Sequence, residues 1–163
     1  MAYLVPETAR QLQNRLVAWL EANLIDPYEQ AKSTTRAGFV DANDYATGFP
    51  PRLQVSFQRT RPTRATMHKH GYLEEEQHDF IIYYSNQKSH RFTFASLSNM
   101  VTVDEAQNSE YLAYVRRTLK ANITAFDGYF HKHAFGDVSR AVFNPKTNLF
   151  VGMLPFTVFT YRR

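Results

Sequence analysis

Cysteine is missing from all 163 residues, which removes disulfides, thiolate metal sites and cysteine nucleophiles together. Glycine is scarce, at 6 residues, and there is no Gly-rich phosphate loop, Gly-x-Ser-x-Gly elbow or His-Glu-x-x-His pair. No apolar run approaches the roughly 20 residues that a bilayer-crossing helix needs. Met1–Glu7 carry neither a basic n-region nor the apolar stretch of a signal peptide. Together these absences predict a protein kept, or assembled, in a reducing cytoplasm, with no membrane partner.

Aromatic residues are abundant instead: 13 Phe and 10 Tyr against a single Trp, a balance that suits strands and contact surfaces better than a helical bundle. The net charge of +4 permits contact with nucleic acid or an acidic protein but demands neither. The length fits a single domain, 1–163, large enough for one core.

Along the chain, Leu12, Leu16, Trp19-Leu20 and Leu24 recur at helical steps, predicting an amphipathic helix after Pro6-Glu7 that stops at Asp26-Pro27. Residues 26–50 read as a loop with isolated Tyr28, Phe39 and Tyr45. A connection this long usually serves a function or meets a partner. Arg52 to Phe57 alternates, with Leu53, Val55 and Phe57 facing the core and Arg52, Gln54 and Ser56 facing water. Residues 58–77 form a polar excursion, a hairpin or protruding loop, with Arg59, Arg61, Arg64, His68, Lys69 and His70 followed by Glu74-Glu75-Glu76.

Asp79 to Ser85 is apolar on both faces and so predicts a central strand, with Phe92, Phe94 and Leu97 continuing the sheet. Asp104-Glu105 would open a second helix with Tyr111-Leu112, Val115, Leu119 and Ile123 as its buried stripe. The tail predicts paired strands: Ala141-Val142-Phe143, a turn at Asn144–Asn148, then Leu149 to Tyr161 with Leu154, Phe156, Val158 and Thr160 on one side. Pro155 argues for an edge or a bulge there. The expected class is α+β.

Two histidine pairs, His68-Lys69-His70 and His131-Lys132-His133, would each put two imidazoles on one strand face. A closed metal site would want a further oxygen donor, for which Asp79, Glu74 or Asp137 could be imagined, but nothing in the spacing fixes one, so no metal and no cofactor is expected. A small basic, metal-independent ribonuclease or toxin domain is the rival reading. It would use His131 or His133 for proton transfer, with Arg140 and Tyr161 nearby. These residue types are common in any basic, aromatic-rich chain, and structural use outweighs it.

The helix ending in Leu24-Ile25-Asp26-Pro27, the loop, and Gly48-Phe49-Pro50-Pro51-Arg52-Leu53-Gln54-Val55 resemble the opening of head–tail connector (neck) and tail-terminator proteins of tailed viruses. Asn108 to Ile123 and Leu149 to Tyr161 look like their second helix and closing strand. The resemblance implies a mixed, mainly antiparallel sheet packed against two helices, with protruding loop or hairpin insertions. It also implies a non-enzymatic virion protein, assembled in the host cytoplasm. Such a protein forms a homo-oligomeric ring, typically a hexamer, which ends the tail tube, docks neck proteins and leaves a lumen through which DNA could pass. Exposed strand edges and jutting segments would then join the copies. The candidate interface residues are Tyr28, Phe39, Tyr45, Arg59, Arg61, Arg64, His68, His70, Arg162 and Arg163.

Overall fold

A computed structural model describes residues 9–24, 39–42, 51–68, 71–87, 104–139 and 141–162, with 64–68, 71–73, 87, 104–110 and 162 described through the backbone alone. The leucine stripe forms helix α1, Ala9–Asn23. Leu12, Leu16, Leu20 and Leu24 are all at most 4% exposed, because a four-residue step returns each to the same face. Trp19 sits at the border of that stripe, its ring tilted against Phe126 at 5.5 Å. Helix α2, Asp104–Ala121, buries Tyr111, Leu112, Val115 and Leu119 completely. Ile123 belongs instead to a 3-10 turn, Ile123–Phe126, that follows the helix.

Among the described residues six strands make one sheet: β1 (Val40–Asp41), β2 (Arg52–His68), β3 (Gly71–Gln87), β4 (Lys132–Phe135), β5 (Val142–Asn144) and β6 (Leu149–Arg162). Their order is β1-β2-β3-β6-β4, with β5 also on β6. Among the described pairings β1–β2 alone is parallel, so the protein is α+β with a mixed, mostly antiparallel sheet. The strand that is apolar on both faces, β3, is central. One hydrophobic cluster joins both helices to Leu53 and Val55, Phe80, Ile82 and Tyr84, and Leu154, Phe156 and Val158. In this register those residues share one pleat face, which we call inner, so both helices cover the same side.

Residues 58–77 form the hairpin of the two alternatives, as a continuation of the β2–β3 ladder. Arg59 to Ala65 pairs with Glu74 to Asp79 in the same β2–β3 ladder, interrupted by bulges between Phe57 and Arg59 and between Pro62 and Arg64. Each bulge inserts one residue and reverses which parity faces the core. Beyond the last described pair with β6, Glu74↔Arg162, the hairpin continues through Thr66↔Leu73, Met67↔Tyr72 and His68↔Gly71.

Arg52 departs from its expected place in water. It is 2% exposed because β1, from the stretch read as loop, brings the Asp41 carboxylate to 3.1 Å from its guanidinium. The β1–β2 pairing ends at a side chain: the Gln13 amide donates to the Ala42 carbonyl at 3.2 Å and the Val55 carbonyl at 2.9 Å.

At the far side of the sheet, the turn after β5 closes with the Asn144 side chain accepting from the Lys146 N–H and Asn148 at φ 56°, a conformation that asparagine tolerates. Pro155 lies in a strand paired with β3 along its length, so the edge it needs is only local. Its carbonyl accepts from Gly136 N–H at 2.9 Å, just past the end of β4. The missing proline donor therefore points to the side where β4 has already stopped. The helix exit at Asp26-Pro27 and the strand residues Phe92, Phe94 and Leu97 lie outside the described residues.

Candidate interaction surface

The ten interface candidates fall in four kinds of place. Phe39 does not present a surface: it is 2% exposed, edge-on to Tyr111, and its carbonyl accepts from Leu53 N–H. It is core because β1 carries it under α2. Arg59 and Arg61 are exposed on β2. Arg64, His68 and Arg162 have strand backbones in the β2–β3–β6 ladder. Tyr28, Tyr45, His70 and Arg163 lie outside the described residues, as does Arg140 of the rival reading.

The basic and acidic blocks of 58–77 resolve into cross-strand partners on the outer face, opposite the helices. Arg59 Nε donates to Asp79 at 2.8 Å; Gln77 and Thr157 donate to the other Asp79 oxygen at 2.7 and 3.0 Å. Partial burial pushes the Asp79 carboxyl up, but these hydrogen bonds and the Arg61 charge outweigh it and hold it below the ordinary carboxylate range. Glu75, 5% exposed, accepts from Thr63 at 2.8 Å and is hydrogen-bonded to His131 Nε2 at 2.7 Å. The His131 ring lies flat on Tyr161, 3.9 Å between centroids and 7° between planes.

On the inner face at the same end, His78 is 2% exposed. It bridges Thr60 through Nδ1 at 2.8 Å and Thr160 through Nε2 at 2.9 Å. Burial lowers its pKa, with the nearby Glu76 and Asp79 charges opposing, so the ring is held neutral with one nitrogen donating and the other accepting.

The structure separates His131 from His133, which were expected side by side. β4 begins at Lys132, and His133 pairs opposite core Val158, packed among Phe130, Phe135 and Phe156. Burial and then the Lys120 charge lower its pKa. Among the described residues no cluster of three or more His, Asp or Glu is arranged to hold a metal, and no helix is long and apolar enough to cross a membrane.

The other end of the outer face is different. A groove of about 520 Å³ is lined by the amides and hydroxyls of Gln54, Ser56, Gln58, Ser85, Asn144 and Thr147. Tyr83, Leu149, Val151 and Phe57 complete it. Two of the most exposed large apolar side chains described stand at its edge, Val142 at 66% and Met153 at 36%; Phe143 and Phe57, also exposed, pair with Phe150 and Phe80 and so take the inner parity. Val142 pairs with groove residue Val151, and Met153 is the next outer-face position along β6. Sequence reasoning missed this groove; the one trace of it was the apolar outer parity of Ile81 and Tyr83, which served only to place β3 centrally.

No protein-family model matches this sequence, and comparison with curated proteins finds no match.

Proposed function

We propose that this chain is a non-enzymatic assembly protein of the tail-terminator or head–tail connector kind, joining copies of itself into a ring that ends a viral tail tube and meets the neck. The observation that supports this is the outer sheet face. Both helices cover the inner face, while the outer face keeps Ile81, Tyr83, Val151 and Phe159 only half-buried and Met153 exposed. A clustered apolar surface of this kind on a sheet is usual where another chain docks. Mass photometry and negative-stain images of purified protein test the reading: a discrete multimer of ring shape is expected, and a monomer at every concentration would refute it.

A ribonuclease acting through His131 is the second reading. With Nε2 donating to Glu75, Nδ1 is the nitrogen left to accept a proton, as in bases oriented by a carboxylate. His133, its expected partner in proton transfer, is packed among aromatic rings instead, and Tyr161 stacks on the His131 ring. RNA cleavage that disappears in His131→Ala would favour it over assembly.

A further inference from the structure

We infer that the margin of β2 facing away from β3 is built to refuse another strand, so that copies of this chain do not join edge to edge along it. Among the described residues, β1 pairs with that margin at Leu53 and Gln54. Farther along, every residue from Phe57 to Thr63 is exposed. An exposed strand edge is a template for pairing with a second chain, so a stretch of this kind calls for a device that blocks it.

The direction of the main chain supplies one. Leu53 N–H donates to the Phe39 carbonyl, and the Val55 carbonyl accepts from Gln13, so these two residues turn away from β3. Alternation in an antiparallel ladder adds Phe57, and its partner Phe80 turns away from β2. β3 runs along β6 without a register break, so His78, Glu76 and Glu74 turn as Phe80 does. Their partners Thr60, Pro62 and Ala65 therefore face the margin. Gln58 and Thr63 are the extra residues of the two bulges. Each bulge bends the strand and increases its twist, so the margin is not one straight row. Between the bulges it has two positions, and proline at 62 has no N–H to offer. The Thr60 amide is the one donor left there, and the missing proline donor falls where an incoming strand would need it. Arg59 and Arg61 flank Thr60 and are exposed. Two copies meeting antiparallel about Thr60 would set Arg59 of each against Arg61 of the other, like charge against like.

The bulges are not needed to keep the faces of β2 in order. Without Gln58 and Thr63 a single alternation runs from Arg52 to Ala65, and no paired residue changes face. Thr63 has one further use, its hydrogen bond to Glu75; for Gln58 the break in the edge is the main effect.

Hydrogen exchange on the wild-type chain is the first test. The Thr60 amide should exchange at least roughly 100-fold faster than those of Arg59 and Arg61, which face β3. A Thr60 amide as slow as its neighbours would mean that a strand already lies on the margin, and would overturn the inference. The second test is a chain that lacks Gln58 and Thr63 and carries Pro62→Thr. Folded by circular dichroism, it should grow with concentration into sheet-rich polymers that bind thioflavin T, while wild type keeps a fixed mass and binds none. Its Thr60 amide should become protected as the polymers form. A folded variant that keeps the wild-type mass would overturn the inference as well. Should the deletions unfold the chain, the wild-type exchange pattern decides alone. The outcome is separate from the assembly reading, because a ring joined through the outer sheet face and a monomer both leave the Thr60 amide open.

Discussion

The two ends of one outer sheet face solve opposite problems. At the hairpin end, charge is plentiful and answered: Arg59 by Asp79, and Glu75 by Thr63 and His131. At the other end no charged side chain lines the groove among the described residues, and apolar surface is left in water, with Val142 at 66% exposure. A residue class alone does not mark a surface for binding. The arginines that looked like contact points in the sequence are partly consumed by their own sheet, whereas neutral amides and aliphatic side chains line the place that remains open. The lesson is that charge blocks of opposite sign about 15 residues apart can signal cross-strand neighbours before they signal a partner.

The sharpest way to break this comparison is at Glu75. Glu75→Ala leaves His131 without its acceptor and the Thr63 hydroxyl with only the main-chain carbonyl of residue 75 at 3.3 Å, and should cost about 1–3 kcal/mol in urea unfolding while leaving the multimer's mass unchanged. A normal stability with lost assembly would make this end the interface instead. Next is Gly136→Ala. An added Cβ would meet the Pro155 ring at 2.8, 2.9 and 3.2 Å, and the proline has no freedom to swing aside, so a loss of about 1–3 kcal/mol is expected. A change below a few tenths would show that β4 can move away from β6.

The smallest effect concerns pH. His78 and His133 both have pKa values lowered from 6.5 in the fold, so the unfolded chain binds more protons below that value and stability must fall as pH drops through it. Their contribution is fully present above about 6.5 and is lost toward their folded pKa values. Asp79 adds a second loss at lower pH, as its carboxylate protonates below 3.8. His78→Gln, which keeps a donor and an acceptor for the two threonines, should flatten the slope of the unfolding midpoint near pH 6; an unchanged slope would mean that His78 is not the group responsible.

Much of the architecture was legible because period and element agreed. The four leucines of α1, the stripe of α2 and the alternation of Leu154, Phe156 and Val158 need no tertiary information to place. The full reach of β2 was hidden because its bulges put core-side positions at Phe57, then Thr60, then Ala65, so no single alternation runs through it. Arg52 was misplaced because its partner, Asp41, comes from a strand of two residues, too short for any periodic signal. The separation of His131 from His133 depends on where β4 begins, which composition does not encode. The groove is assembled from β2, β3 and the β5–β6 turn, segments far apart along the chain, and only the pairing register brings them together.

One amide bond of Gln13 reaches further than its size suggests. By donating to the carbonyls of Ala42 and Val55 at once, it takes the Val55 carbonyl, the next acceptor on β2 that a lengthened β1, or a stranger's strand, would use. Helix α1 thus sets the width of the sheet as well as covering it: the margin is sealed at the point where it would first be exploited, and growth of the ladder there has to begin by evicting a side chain anchored in the helix.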